Sequence, residues 1–423
     1  MLDIKFIREN PDIVKQAAKN KNVAVDIDKL LALDERRRHL QGELDQANSF
    51  RNAIADASKS GKPSPDQIAE GKKYKEQAST LEGELKIVET EFHELMLMVP
   101  QISDPSVPEG AKDDDNKEIR TWGEIPSFDF EPKDYMAIME SLDLVDVERG
   151  AKVSGFRGYF LKNEAVLLSQ ALWMFALSQL IKKGFTPIIA PAIAKELAFR
   201  GTGWLPQGKD EIYKIGEDEF LIGTSEVSVM AYHSDEILKE SDLPKKYVAF
   251  SPCFRSEAGS YGKDTKGILR VHEFYKIEQV ILGKADHEDS VQWHEEITKN
   301  SEELVQALNL PYRVVLNCAG DLGLGQVKKY DIETWLPSQQ RYRETHSASY
   351  FHDFQTRRLN IKYRDNKGDT QFAYSLNNTA IATPRILANI LENYQTKSGT
   401  VKIPEILKPW MMGCDEIFPP STS

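Results

Sequence analysis

The segment FRSEAGSYGKDTKGILRVHEF, residues 254–274, carries side chains that suit the binding of a phosphorylated ring compound. Arg255 offers a planar fork of donors that matches the oxygens of a phosphate. Glu257 can accept a hydrogen bond from an amine, and Phe274 offers a flat apolar surface for a ring. Because side chains alternate along a strand, we expect Arg255 and Glu257 to share one face of a strand that precedes a turn.

The middle of this segment is basic and contains three glycines, which predicts a hairpin loop between two strands. Lys263, Lys266 and Arg270 are placed to close over a polyphosphate. A surface hairpin with one cross-strand ion pair, worth about 0–1 kcal/mol, explains the same residues. The segment alone leaves both interpretations open.

Other sequence motifs that are typical of nucleotide binding or of nucleophilic catalysis are absent from the sequence. It has no G-x-G-x-x-G turn between a strand and a helix, no Walker loop and no G-x-S-x-G elbow. The eight histidines show no metal-binding spacing, and Cys253, Cys318 and Cys414 form no C-x-x-C pair. We therefore expect no zinc site, and we expect any nucleotide to be bound on another plan.

The chain has 423 residues, which predicts two or three domains, and its formal net charge is -12. The acidic total argues against coating of nucleic acid by bulk charge, but it permits a local basic face. The dispersed cysteines favour a reducing cytoplasm. The start, MLDIKFIRENPDIV, lacks the apolar core of a signal peptide, and we expect no membrane span because no run of 18 apolar residues occurs.

Residues 28–99 are expected to form two long helices that pair side by side. Apolar residues recur with the alternating spacing of three and four that is typical of a coiled coil, namely Leu33, Leu40, Leu44, Ala47 and Ile54 in the first helix and Ala78, Leu81, Leu85, Val88, Phe92 and Leu95 in the second. Arg37 and Arg51 fill the remaining positions of the first seam. The short connection KSGKPSPD, 59–66, favours an antiparallel arm about 45 Å long.

Two interpretations of this arm stay open. It is either a dimerisation or spacer hairpin with a solvated outer face, or a lever that contacts a distant part of a large ligand. Its basic residues permit a contact with nucleic acid, although acidic residues are mixed among them. These basic residues include Arg36, Arg37, Arg38, Lys72, Lys73 and Lys75.

A stretch rich in Pro, Asp and Gly, 99–123, has no periodicity and marks a domain boundary, which we place at residue 110. Beyond it, the pattern predicts a mixture of helices and strands. A helix is predicted over 166–184, with Gly184 ending it. The stretches FTPIIAPAI, KYVAFSPCF, EFYKIEQVIL and PYRVVLNCA predict strands, several of them buried on both faces of a sheet.

Three stretches, in this order, resemble motifs 1, 2 and 3 of the class II aminoacyl-tRNA synthetases. They are GFTPIIAP (184–191), the segment 254–274, and SLNNTAIATPRILANILENYQ (375–395). The second is similar specifically to the seryl-tRNA synthetases. So are LIGTSEVSV (221–229), RYRETHSASYFHDFQTRRLNIKYR (341–364) and the N-terminal helical arm. The resemblance covers essentially the whole chain.

The resemblance implies an α+β protein with an N-terminal antiparallel coiled-coil arm, 1–110, and a catalytic domain, 111–423, built on a mixed, mainly antiparallel β-sheet flanked by helices. It implies that L-serine is activated with ATP and Mg²⁺ and then transferred to tRNA(Ser), and it leaves tRNA(Sec) open. It also implies a cytoplasmic homodimer that pairs through the GFTPIIAP region. The arm is expected to grip the long variable arm of the tRNA by its shape and backbone.

The resemblance also implies roles for individual residues. Arg255, Glu257 and Arg385 are the expected catalytic residues, with Arg255 on the α-phosphate and Arg385 near the γ-phosphate. Phe274 and Arg385 are expected to enclose adenine, whose edge contacts Glu257 and the backbone of Val271. The other expected ATP contacts are Ser256, Arg270, Glu344, Thr345, His346 and Ser347, of which Glu344 and Ser347 bind Mg²⁺. The expected serine-binding residues are Thr224, Ser225, Glu226, Glu278 and Thr379.

Three residues depart from the pattern of the family. Thr379 follows Asn377 and Asn378 where an N-G-S-G run is usual, so the added methyl group narrows the serine pocket or the contact comes from backbone. His346 stands where a second serine is common beside Ser347. Trp204, in GTGWLPQ, replaces a smaller polar residue beside the substrate entrance.

Two rival functions stay open on the sequence. The first is a synthetase-like ligase that loads an amino acid onto a carrier protein, although such relatives lack the long arm and use a zinc-bound pocket. The second is a non-catalytic coiled-coil scaffold with a synthetase fold, against which Arg255, Glu257, Glu344 and Arg385 argue.

Overall fold

The computed structural model describes residues 1–57, 64–258 and 267–420. The chain forms two compact units, Leu2–Pro100 and Gln101–Ser423, the second of which also includes Met1. The division falls within the predicted linker, and each unit has its own hydrophobic cluster. The helical arm and the mixed body are therefore separate compact units.

The first unit is helical, with α1 (Ile4–Glu9), α2 (Pro11–Asn20), α3 (Ile27–Ala57) and α4 (Pro65–Met98). Helices α3 and α4 run antiparallel. Lys29 lies 3.7 Å from Glu91, whereas Arg36, farther along α3, lies 3.6 Å from Glu84, which comes earlier in α4. The predicted antiparallel helical hairpin is confirmed.

The start of α4 is fixed by a reciprocal cap. The Ser64 hydroxyl accepts a hydrogen bond from the Gln67 backbone N–H at 3.2 Å, and the Gln67 side chain accepts one from the Ser64 N–H at 2.8 Å. Pro65 follows at the first helical position, where its missing N–H costs nothing. The remainder of the predicted connection, 59–63, lies outside the described residues.

The seam between α3 and α4 is apolar, as its spacing predicted. The buried residues of the seam are Leu40, Leu44, Ala47, Ala78, Leu81, Leu85 and Val88. Arg37 stands beside it, with its guanidinium 4.8 Å from the centre of the Phe92 ring and 3.1 Å from the Asp34 carboxylate. Its charge is therefore paired at the margin of the seam.

The second unit combines helices with strands. Its helices are α5 (Tyr135–Ser141), α6 (Val147–Ser154), α7 (Glu164–Lys182), α8 (Glu196–Thr202), α9 (Ser225–Ala231), α10 (His287–Ala307), α11 (Phe354–Arg358) and α12 (Thr383–Asn393). Its strands are β1 (Lys117–Trp122), β2 (Val145–Asp146), β3 (Phe160–Leu161), β4 (Thr186–Ile189), β5 (Ile193–Lys195), β6 (Tyr213–Lys214), β7 (Glu219–Leu221), β8 (Ile237–Lys239), β9 (Lys245–Phe254), β10 (Glu273–Gly283), β11 (Tyr312–Leu316), β12 (Lys328–Leu336), β13 (Arg341–His352), β14 (Lys362–Arg364), β15 (Thr370–Phe372), β16 (Tyr374–Ala382), β17 (Val401–Lys402) and β18 (Glu416–Ile417).

The main sheet has eight strands in the order β1-β11-β12-β13-β16-β10-β9-β4. Strand β4 pairs parallel with β9, and the other neighbouring pairs are antiparallel. Helices α7, α10 and α12 pack against it. The predicted mixed, mainly antiparallel sheet flanked by helices is confirmed.

Strand β10 lies near the middle of this sheet and is buried on both faces. Ile277 and Ile281 belong to the large hydrophobic cluster, whereas Val280 and Leu282 belong to a second one. The near-continuous apolar run of EFYKIEQVIL is thus explained by burial on both sides. A strand held this way gives the polar side chains at its other positions a fixed direction.

Helix α7 matches the helix predicted over 166–184. Gly184 follows its last turn with φ of 82°, a left-handed conformation that glycine adopts at helix ends. By length and composition α7 is apolar enough to cross a membrane. Its residues Leu172, Phe175 and Leu180 are buried in the hydrophobic cluster of the body, as in the core helix of a globular fold.

The hairpin that carries the candidate chemistry differs from the prediction in one respect. Strand β9 ends at Phe254, so Arg255 and Glu257 follow the strand and do not share one of its faces. The chain turns there, and Glu257 has φ of 56°. The returning strand begins at Glu273, which places Phe274 on β10 as expected.

Candidate active site

The candidate site is a cavity of about 200 Å³ over β10, β13 and β16. Most of the predicted site residues line it, namely Thr224, Glu226, Arg255, Glu257, Arg270, Val271, Phe274, Glu278, Glu344, Thr345, Ser347, Thr379 and Arg385. These residues come from separate stretches of the sequence, the first and last of which are more than 100 positions apart. The fold therefore brings together side chains that the sequence connects only through the family resemblance.

Strand β10 places three side chains along the cavity at alternate positions. Phe274, Lys276 and Glu278 all line it, because residues two apart on a strand point to the same face. The β10–β16 register sets Glu278 opposite Thr379, whose hydroxyl lies 3.4 Å from Glu278 Oε2. Burial raises the pKa of Glu278, and the charge of Lys276, with Nζ 2.5 Å from the same oxygen, opposes that rise.

A second carboxylate enters the cavity from the start of α9. Thr224 caps this helix and accepts a hydrogen bond from the Glu226 N–H at 3.3 Å. The Glu226 carboxylate accepts a hydrogen bond from Gln355 Nε2 at 2.6 Å. Burial, reinforced by the nearby charge of Glu278, raises the pKa of Glu226 to about 7.

Arg255 is held between backbone and aromatic rings. Its Nε donates a hydrogen bond to the Gly223 carbonyl at 3.3 Å. Its guanidinium carbon lies 5.4 Å from the centre of the Phe274 ring and 5.8 Å from that of Trp204. Trp204, one of the departures from the family pattern, therefore forms a wall of the cavity beside this arginine.

The Glu257 carboxylate lies close to two arginines. Arg270 forms an ion pair with its carboxylate, and Arg157 Nη1 lies 3.8 Å from it. The three side chains are mostly buried, so the charges compensate one another away from bulk water. Lys263 and Lys266, which were expected to close over a polyphosphate, lie outside the described residues.

Arg385 and Glu344 form the other end of the cavity. Arg385 stands in the first turn of α12, and its Nη1 lies 3.2 Å from a Glu344 carboxylate oxygen and 2.9 Å from the Glu344 carbonyl oxygen. Partial burial would raise the pKa of Glu344, whose side chain is 49% exposed, but the charges of Arg385, Lys329 and Arg255 outweigh that effect and lower the pKa. The Glu344 carboxylate is therefore ionised at neutral pH.

Behind Glu344 lies a buried aspartate that the sequence did not reveal. Burial raises the pKa of Asp331, the charge of Lys329 opposes that rise, and Asn317 Nδ2 donates a hydrogen bond to Asp331 Oδ2 at 2.7 Å. Asp331 Oδ1 is buried and, within the described part of the chain, has no hydrogen-bond partner. Asp331 and Ser347 pair directly across β12 and β13. Carboxylate and hydroxyl oxygens of this kind fit a hard cation such as Mg²⁺.

Three predicted residues do not turn their side chains into the cavity. The Ser256 hydroxyl donates to the Asp210 carbonyl, and Ser225 is fully buried at the start of α9. His346 is buried under β16, with Nε2 3.0 Å from the Ala380 carbonyl oxygen, and burial lowers its pKa to about 4, so the ring is neutral. Any ligand contact of these three residues would have to come from their backbone.

Sequence reasoning missed several residues of the cavity wall. These are Leu269, Lys276, Gln326, Ser349, Phe351, Ala382 and Pro384. Lys276 had a usable signal, because it lies two positions from both Phe274 and Glu278 on a predicted strand. Gln326 had none, since it stands in a loop before β12.

A second cavity, of about 630 Å³, is larger and more apolar. Tyr159, Trp173 and Tyr275 are among the residues that line it, and no predicted site residue does so in the described ranges. Size therefore does not identify the chemistry of this protein. The smaller cavity is the better candidate because charged groups of both signs converge there.

Comparison with known proteins gives two family matches. Residues 1–103 match the seryl-tRNA synthetase N-terminal domain, and residues 212–394 match the tRNA synthetase class II core domain (G, H, P, S and T). Serine–tRNA ligase of Deinococcus radiodurans is 45% identical over 423 residues, which cover 99% of this chain and 100% of that protein. The enzyme of the same name from Treponema denticola is 43% identical over 425 residues, with 99% and 100% covered.

Solved structures give the same result. Seryl-tRNA synthetase from Pyrococcus horikoshii complexed with ATP superposes with a TM-score of 0.91 at 40% identity, covering 99% of this chain and 100% of that one. The cytoplasmic serine-tRNA ligase from Naegleria fowleri in complex with AMP superposes with a TM-score of 0.86 at 36% identity, covering 99% and 98%.

The raised pKa of Glu226 predicts a pH-dependent stability. Between its ordinary value of 4.5 and about 7, the folded protein holds a proton that the unfolded chain releases. The stabilisation is complete below the lower value and is lost as the pH rises through the higher one. We therefore expect the thermal midpoint to fall less between pH 5 and pH 8 in Glu226→Gln than in the unaltered protein.

Differential scanning fluorimetry at both pH values measures this difference. Glu217→Gln is the matched control, because Glu217 is an exposed glutamate of the same unit. The same fall in all three proteins would contradict the assignment of a raised pKa to Glu226.

Proposed function

Because the chain belongs to the seryl-tRNA synthetase family, we propose that it is a serine–tRNA ligase that works in two steps. The serine carboxylate attacks the α-phosphate of ATP, which forms seryl-adenylate and expels pyrophosphate. The seryl group then passes to a hydroxyl of the terminal ribose of tRNA(Ser), and AMP leaves. The observation that carries this proposal is one cavity that three arginines, Arg255, Arg270 and Arg385, share with the carboxylates of Glu226 and Glu278.

At the nucleotide end, the protein supplies position and charge and no covalent nucleophile. Phe274 supports adenine, and Arg385 covers its other face and reaches the γ-phosphate. Arg255 forks onto the α-phosphate and stabilises the negative charge that grows there as pyrophosphate leaves. The edge of adenine meets Glu257 and the backbone of Val271, and Arg270 adds a phosphate contact once ATP competes for its pairing with Glu257.

We propose that Glu344 and Ser347 would hold a Mg²⁺ ion in the site. The lowered pKa of Glu344 and the unpartnered oxygen of Asp331 support an oxygen-lined cation site. When bound, the ion neutralises phosphate charge. Within the described residues no group of three or more histidine, cysteine, aspartate or glutamate side chains is arranged to hold a metal.

At the serine end, a small polar substrate needs acceptors for its ammonium and its hydroxyl group. Glu226, Glu278 and the hydroxyl groups of Thr224 and Thr379 supply them. Alanine as a substrate would leave the acceptors for the serine hydroxyl unpaired. The resulting loss of binding free energy is larger than that of a missing methyl contact. The methyl group of Thr379 also narrows the pocket, which we expect to disfavour threonine.

The first unit is proposed to bind the tRNA. Its match to the seryl-tRNA synthetase N-terminal domain and its long antiparallel helices support this role. Mixed charges on α3 and α4 suit recognition of shape and backbone better than a reading of bases. The cytoplasm is the proposed compartment, because Cys253, Cys318 and Cys414 are free.

We also propose a homodimer through the GFTPIIAP region. Strand β4 forms an edge of the main sheet, and its Ile189 is 81% exposed. Met174 and Ile181 on the adjoining helix α7 are exposed as well. Such a set of exposed apolar side chains at a sheet edge favours burial against a second copy.

Serine-dependent exchange of pyrophosphate into ATP tests the proposed activity. We expect exchange with serine and at least about 100-fold less with alanine, because the site bonds the substrate hydroxyl. Arg255→Ala should lower the rate by about 100- to 1,000-fold, since it removes a charge-stabilising donor. Arg255→Lys, which keeps the charge without the fork, should recover only part of it. A rate of pyrophosphate exchange that is unchanged in Arg255→Ala would refute the proposed role of Arg255 in binding phosphate.

Removal of residues 30–97 separates the two steps. We expect the shortened protein to keep serine-dependent pyrophosphate exchange within about threefold, because the cavity lies wholly in the second unit. Charging of tRNA(Ser), measured with radiolabelled serine, should be lost. Loss of both activities in a folded protein would contradict this division between the units.

Ile189→Lys tests the proposed dimer. A charge on the exposed edge strand should give a particle near the chain mass of 48.0 kDa, whereas the unaltered protein should show twice that mass by light scattering. Ile119→Lys is the matched control, because Ile119 is an exposed isoleucine on β1, the opposite edge strand. A dimer that survives Ile189→Lys but not Ile119→Lys would place the interface elsewhere.

A further inference from the structure

Lys276 is a cation inside the cavity for which the proposed roles give no task. Its side chain is 7% exposed, an unusual degree of burial for lysine. Strand β10 fixes its direction, because Phe274 and Glu278, two positions away on either side, also line the cavity. Its Nζ lies 2.5 Å from Glu278 Oε2. The lysine therefore sits between the nucleotide end and the serine end.

The polar contacts of Glu278 are one-sided. Both Lys276 Nζ and the Thr379 hydroxyl meet Oε2, and no other polar side-chain contact of this carboxylate occurs in the described ranges. A carboxylate oxygen has room for further donors, and Oε1 is the oxygen left for them. Oε2 of Glu278 therefore takes both of these side-chain contacts, on a residue that lines the cavity.

Charge in this end of the cavity is finely balanced. Burial raises the pKa of both Glu226 and Glu278, and the charge of Glu278 adds to the rise at Glu226. Lys276 opposes the rise at both carboxylates, and Arg255 opposes it at Glu278. The nearby thiol of Cys253, on β9, does not add to the negative charge, because burial raises its pKa and keeps it protonated. Without Lys276, Arg255 would be the remaining cation near the carboxylates of Glu226 and Glu278. Arg255 is also the residue proposed to bind the phosphate of ATP.

We propose that Lys276 is a positioning residue for serine recognition: it holds Glu278 ionised and oriented, so that this carboxylate is ready to accept hydrogen bonds from serine. The inference rests on the proposed function and adds to it a residue that acts through another. The proposed role of the Lys276–Glu278 pair differs from that of a merely structural ion pair. A structural pair would stabilise the fold without setting the pH range over which serine binds.

The test compares Lys276→Met and Lys276→Gln with Lys276→Arg in the full chain, by pyrophosphate exchange over a pH series. Met and Gln remove the charge, and Arg retains it. We expect Met and Gln to raise KM for serine roughly 10- to 100-fold while KM for ATP stays within about threefold. The acid limb of kcat/KM for serine should move to higher pH by about one unit or more. Lys276→Arg should keep the limb near its original pH.

Two outcomes would overturn the inference. One is a charge-removing variant with unchanged KM for serine. The other is a fall in kcat with the acid limb unmoved, which marks a structural role. If Lys276→Met does not fold, Lys276→Gln decides, because Gln keeps a polar group in the same space. An unaltered protein that shows no serine-dependent exchange would refute the proposed function itself. Normal exchange with unaffected variants would refute only the role of Lys276.

Discussion

The antiparallel pairing of β10 with β16 is the constraint on which the site depends. It fixes Glu278 opposite Thr379, and by alternation it fixes Phe274 and Lys276 along the same face. Because β10 is buried on both faces, a slip by one residue would exchange these polar side chains with Ile277 and Ile281 of the core. Hydrophobic packing of β10 thus keeps its polar side chains on the face of the sheet that lines the cavity.

Side chains of opposite charge form ion pairs with one another in the cavity. Arg270 pairs with Glu257, Arg385 with Glu344, and Lys276 with Glu278. Each cation therefore has a partner to exchange for a phosphate or a substrate group. This arrangement limits the cost of burying charge, and it leaves the site preorganised for a ligand that carries both signs.

The sequence predicted regular elements well, because their patterns are local. The seam of α3 and α4 follows heptad spacing, and the end of α7 follows from Gly184. It placed Arg255 and Glu257 wrongly on a strand, since the positive φ of Glu257 has no sequence signature there. The position of Asp331 beside Ser347 and that of Gln326 in the cavity wall could not be predicted, because only the tertiary fold brings these residues near the site.

A crystal structure with a non-hydrolysable analogue of seryl-adenylate tests the account most directly. It should show adenine on the ring of Phe274, the phosphate within hydrogen-bond distance of Arg255, and the seryl group against Glu226 and Glu278. An analogue bound in the larger apolar cavity beside Trp173, or one whose phosphate lies away from Arg255, would contradict it.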